Sequence, residues 1–93
     1  MKMRRMKAQS EFGDAVRRLR HTMAMSQEDL AEAAGLDRTY VSSLERGRRN
    51  PTLLTIMRVA AALHVSAAFL LAEMEAPTRP GSRAAQPPVG TDR

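Results

Sequence analysis

The chain has no cysteine and no tryptophan, and its aromatic residues are one tyrosine and two phenylalanines. Without cysteine there is no disulfide, no thiol nucleophile and no thiolate zinc site. With so few aromatics, any core must be assembled from Leu, Ala, Val, Ile and Met, which suits a small helical bundle. A β-sandwich is disfavoured on the same ground, because β-branched and aromatic residues nowhere alternate over a useful length. The sequence also lacks any apolar run near the roughly 18 residues that span a bilayer. Its basic start is not followed by the apolar stretch of a secretory signal. His21 and His64 are the only histidines and lie far apart. No glycine-rich phosphate loop and no metal-ligand spacing is present, so an enzyme, a metal or a cofactor is not expected.

What remains is 93 residues, enough for one small domain, with a net charge of +5. Thirteen of the fifteen cations are arginine, the better bidentate donor to phosphate and guanine edges. Three segments are expected. Residues 1–9 carry Lys2, Arg4, Arg5 and Lys7 with no buried pattern, and read as a basic flexible arm able to reach a DNA backbone. Residues 10–75 carry helical periodicity. Residues 76–93 are rich in Pro, Gly and Ala, and read as a disordered tail.

Within the middle segment the spacing predicts five helices, an all-α fold. Ser10 is a candidate cap for the first, over about residues 11–24, with Phe12, Val16, Leu19 and Met23 as its apolar stripe. Ser26 and Asp29 are spaced for a capping box on the second, which runs from Gln27 to about Ala34 and stops at Gly35. Asp37 precedes the third, residues 38–46, ended by Gly47. Thr52 precedes the fourth, with Leu53, Ile56, Val59 or Ala60, and Leu63 facing inward. Ser66 precedes the fifth, from Ala67 to about Glu73, anchored by Phe69 and Leu70.

The second and third helices make a helix-turn-helix. Ala31 is small where two helices cross closely, Gly35 permits the sharp turn, and Val41 and Leu44 supply the inner face of the third helix. The opposite side of that helix carries Arg38, Thr39, Ser42, Ser43 and Arg46. Short polar residues with arginine are unusual on a merely solvated face, where Glu, Lys and Gln are commoner.

The sequence resembles the phage-repressor and Cro-type (Xre-like) helix-turn-helix regulators over about residues 10–72. The resemblance rests on Leu19-Arg20, on Ser26 through Ala31, on Leu44-Glu45-Arg46-Gly47, on Arg49-Asn50-Pro51-Thr52, and on Ala60, Leu63 and Val65. Leu36 to Ser42, with Glu45-Arg46 and Arg49-Asn50-Pro51, is most similar to the small controller proteins of restriction–modification systems and related mobile-element regulators.

That resemblance implies a compact five-helix, lambda-repressor-like domain that binds double-stranded operator DNA as a homodimer. It implies Arg38, Thr39, Ser42 and Ser43 at base edges in the major groove. It implies Gln27, Tyr40, Arg46, Arg48, Arg49 and Asn50 at the DNA backbone. It also implies a partly buried ion pair between Arg20 and Glu45. The most apolar spare surface, Leu54, Met57, Ala68, Phe69, Leu71 and Met74, is the expected dimer interface. Such a regulator works in a bacterial cytoplasm, on the nucleoid when bound, often on its own promoter, and touches RNA polymerase where it activates. The competing reading is an antitoxin that binds both DNA and a protein toxin, although the Pro-rich tail offers a toxin few anchors. An RNA-binding role lacks the stacking aromatics it would need.

Overall fold

A computed structural model describes residues 2–74, with side chains described from Lys7 onward. Five helices follow one another: α1 (Lys2–Thr22), α2 (Gln27–Ala34), α3 (Arg38–Glu45), α4 (Leu53–Ala62) and α5 (Ala67–Met74). Among the described residues there is no strand, and no single helix is long and apolar enough to cross a membrane. The all-α, five-helix architecture expected from the periodicity is the one observed.

Local chemistry explains most boundaries. At α2 the N–H of Asp29 donates to Ser26 Oγ at 2.9 Å, and the N–H of Ser26 donates to the Asp29 carboxylate at 3.0 Å. The capping box is complete. Gly35 then ends the helix in the left-handed region at φ 72°. Thr52 Oγ1 accepts from the N–H of Thr55, and Ser66 Oγ accepts from the N–H of Phe69, so α4 and α5 are capped as their sequences predict. Asp37 has the extended backbone of an N-cap, but its side chain makes no cap hydrogen bond.

Helix α1 departs from expectation. It begins at Lys2, so Lys2–Gln9 are its first turns rather than an arm ahead of the domain. These eight residues are all fair helix formers, and nothing among them interrupts a helix that is already docked downstream. Ser10 is therefore an interior residue and caps nothing. The helix ends at Thr22, and Ala24 turns the chain with φ 57°. The expected tail, 76–93, lies outside the described residues.

The core is built from Phe12, Ala15 and Val16 of α1, Leu30, Ala31 and Ala34 of α2, Val41 and Leu44 of α3, Val59, Ala60, Ala62 and Leu63, and Leu70 of α5. Three residues expected inside are not. Met23 lies beyond the end of α1 and is exposed. Leu53 is 69% exposed, because α4 first meets the core at the half-buried Ile56 and is fully buried only from Val59, so its first turn overhangs the core. Phe69 is 46% exposed, its place inside being taken by Leu70. A helix apolar on every side does not declare which side is inner.

Two glycines fix how α1 lies against the end of α3. A Cβ on Gly13 would meet the carbonyl oxygen of Glu45 at 2.7 Å, and a Cβ on Gly47 would meet Ser10 Oγ at the same distance. Gly47 also holds φ 77°. The helices touch backbone to backbone, and no other residue fits either place.

The capping box has a consequence in acid. The backbone and hydroxyl hydrogen bonds from Ser26 hold the Asp29 carboxyl below its ordinary pKa. Its contribution to stability is therefore complete above the ordinary carboxylate range near pH 4 and is lost as pH falls through the lowered folded value. Asp29→Asn should melt below the wild type at neutral pH, and the gap should close in strong acid. Melting curves across that range check this, and a gap independent of pH would refute it.

Candidate functional site

The site is built where the last turn of α1 meets the start of α2 and the end of α3. Arg20 and Glu45 are 7% and 5% exposed, the two charged residues found in the interior of the described chain. Their contact is bidentate: Arg20 Nε donates to Glu45 Oε2 at 2.6 Å, and an Arg20 terminal nitrogen donates to Oε1 at 2.9 Å. The other terminal nitrogen donates to the carbonyl of Met25 at 2.9 Å, fastening the turn between α1 and α2. Hydrogen bonding to Glu45 raises the Arg20 pKa, against the opposing effect of burial and with a smaller Coulomb gain. The guanidinium stays charged throughout the accessible pH range.

Gln27, the first residue of α2, extends this cluster. Its amide nitrogen donates to Glu45 Oε1 at 3.1 Å, which leaves its carbonyl oxygen facing Arg38, whose guanidinium approaches to 3.4 Å. The residue expected at the DNA backbone thus has its side chain turned inward, toward the ion pair and the first residue of α3. One connected set of polar groups runs from α1 through the end of α3 and the start of α2 to the start of α3.

The outer side of α3 presents the residues that the sequence singled out. Arg38, Thr39 and Arg46 are exposed, and Ser42 and Ser43 are half-buried at the edge of the same face. Arg46 donates to Ser42 Oγ at 2.8 Å, a contact its i,i+4 spacing allows and which sequence reading did not anticipate. Past Gly47, Arg48, Arg49 and Asn50 are exposed in the loop that leads to α4. The Arg49 guanidinium stands 5.1 Å from the centre of the half-buried Tyr40 ring, a cation–π arrangement that ties this loop to α3. Gly13 was also missed, although a glycine inside a helical pattern is itself a sign of close approach.

The surface expected to pair with a second copy lies on α4 and α5. Leu54, Met57, Phe69 and Leu71 are exposed large apolar residues there, and Ala68 is exposed beside them. Met74 is instead half-buried against the core, and Leu53 joins the exposed group.

Glu45→Ala would leave the Arg20 guanidinium buried with its principal partner removed. The loss of stability should be about 3–5 kcal/mol, read as a lower midpoint in denaturant unfolding, and an unchanged midpoint would contradict the bracing role.

The geometry agrees with relatives. A helix-turn-helix family profile matches residues 16–70. The chain is 47% identical over 60 residues to the control protein C.SmaI of Serratia marcescens, covering 64% of this chain and 71% of that one. It is 46% identical over 61 residues to the control protein C.BamHI of Bacillus amyloliquefaciens, covering 64% and 75%. The crystal structure of the restriction–modification controller protein C.AhdI from Aeromonas hydrophila superimposes with a TM-score of 0.64 at 44% identity, over 66% of this chain and 92% of that one. The chain belongs to the Cro/C1-type helix-turn-helix family of DNA-binding transcriptional regulators.

Proposed function

We propose that the protein is a controller-type regulator that binds a pseudo-palindromic operator as a homodimer and acts on its own promoter. The observation that carries this reading is the exposed face of α3, with a short polar and cationic surface on a helix that an internal ion pair holds in place. The similarity to C.SmaI, C.BamHI and C.AhdI supports the controller assignment.

In this reading α3 lies in the major groove. Arg38 donates to O6 and N7 of a guanine, a pairing worth about 1–3 kcal/mol of discrimination. Gln27 contributes by holding Arg38 rather than through a side-chain bond to a phosphate, because its oxygen faces that guanidinium and its nitrogen is spent on Glu45. Thr39 offers a hydroxyl and a methyl, and Ser42 and Ser43 reach bases at close approach or through water. Tyr40, Arg46, Arg48, Arg49 and Asn50 grip the backbone beside the same half-site.

The surface of α4 and α5 supports dimerisation. The eighteen residues of the two helices include only two charges, Arg58 and Glu73, and carry the exposed Leu54, Met57, Phe69 and Leu71. Apolar exposure of this kind marks a protein interface. A two-fold dimer across it would set two α3 helices to read half-sites roughly 34 Å apart.

Selection of bound duplexes from a random pool should return a two-fold symmetric sequence that recurs upstream of the protein's own gene. Arg38→Ala should weaken binding to that operator by about 1–3 kcal/mol while leaving binding to random DNA nearly unchanged; an equal loss on both would make Arg38 a phosphate ligand. Leu54→Arg should turn a dimer in sedimentation into a monomer and weaken operator binding without unfolding the domain. A wild-type protein that sediments as a monomer would refute the interface.

A further inference from the structure

Where α1 crosses the start of α2 and the end of α3, a cleft opens over the Arg20–Glu45 pair. It is lined by Arg17 and His21 of α1, by Gln27 at the start of α2, and by Ser42 and Arg46 at the end of α3. The carboxylate of Glu45 at its floor is already committed, with Oε2 accepting from Arg20 and Oε1 accepting from both Arg20 and Gln27. It leaves little acceptor capacity for the cations above it.

Arg17 and Arg46 are exposed cations of this lining. Arg46 is held by Ser42 Oγ, which keeps its guanidinium on the wall of the cleft. Arg17 leans on Asp14 at 3.2 Å, but both partners are about half exposed, and such a pair is too weak to compete with a stronger anion. His21 is exposed beside them, and an imidazole offers an N–H whether neutral or charged. The lining therefore presents several donors, with its one carboxylate occupied. That chemistry fits a singly charged phosphodiester. The cleft also shares Ser42 with the outer face of α3, so a strand bordering the groove that α3 enters would cross it.

We infer that this seam seats one backbone phosphate of the bound DNA, held by Arg17 and His21 together with Arg46. The inference rests on operator binding through α3 and adds to it a contribution from α1. The phosphate contact supplies affinity without sequence preference, since every nucleotide offers the same group.

The test uses the full chain and compares wild type with Arg17→Gln, His21→Ala and Arg18→Gln on the selected operator and on a random duplex. Arg17 and His21 are exposed, so these variants should fold as the wild type does, which circular dichroism checks. Arg18 lies on the same helix but donates to the carbonyl of Glu73 on α5 at 2.9 Å, away from the cleft. Arg17→Gln should flatten the log affinity against log salt slope by about one unit and lower affinity several-fold on both duplexes. His21→Ala should also lower affinity on both. Arg18→Gln should change neither. In phosphate-ethylation interference, one position that blocks the wild type should cease to matter for Arg17→Gln. Wild-type-like slope, affinity and interference in Arg17→Gln, or an equal slope loss in Arg18→Gln, would overturn the phosphate seat while leaving operator binding intact. A wild type without salt-dependent duplex binding would overturn both readings together.

Discussion

The buried contact between Arg20 and Glu45 is the constraint on which the arrangement of this domain depends. Two opposite charges with almost no exposure are costly to bring out of water, and the cost is met only when geometry is close and the remaining hydrogen-bonding capacity is filled. Both conditions hold here. Glu45 accepts three hydrogen bonds, and Arg20 donates its own third to the Met25 carbonyl. A pair with these demands allows one register between α1 and α3, since a slip of one residue would leave both charges unsatisfied. The glycine contacts at Gly13 and Gly47 impose the same register sterically. The ion pair is therefore better understood as fixing where the exposed face of α3 points than as a large net source of stability.

That view explains why the side chain of Gln27 turns inward. A glutamine at the start of a helix would ordinarily lie in solvent. Here Glu45 has an oxygen that must be filled, and the Gln27 amide reaches it at 3.1 Å. Because one end of the carboxamide donates, the other end accepts, and it faces Arg38. Polarity is passed from the interior to the exposed edge of α3 by the simple alternation of donors and acceptors.

The parts of this fold that were legible in the sequence are those set by neighbours within a few residues. The capping box of Ser26 and Asp29, the left-handed Gly35, and the caps at Thr52 and Ser66 depend on local geometry and can be read directly. The inner faces of α2 and α3 were legible because apolar residues there are few and unambiguous. Leu53 and Phe69 were not, because α4 and α5 are apolar nearly all round and only the tertiary packing chooses a side. The true start of α1 was hidden by Ser10, an acceptable cap in isolation, which instead packs on Gly47 some forty residues away. Residue types and spacing were enough to nominate Arg20, Glu45 and the face of α3. The direction of the Gln27 amide was not, because it depends on a carboxylate eighteen positions distant.

The same limit bears on the apolar surface that the core leaves outside. A domain of this size buries a modest share of its surface, and its stability depends on burying its largest apolar groups well. Yet the interior is filled chiefly by Leu, Val and Ala, while Leu53, Leu54, Met57, Phe69 and Leu71 remain on α4 and α5. Leu70 alone anchors α5 completely. Arg18 adds a polar tie at the far end of that helix. Helix α5 packs on α1 and α4 and leaves Phe69 and Leu71 outside, so a partner that covers this outer side would stabilise the fold by mass action. For the proposed homodimer, folding, association and the spacing of two α3 helices are then one linked equilibrium. Its position is set by how much apolar surface α4 and α5 withhold from the core.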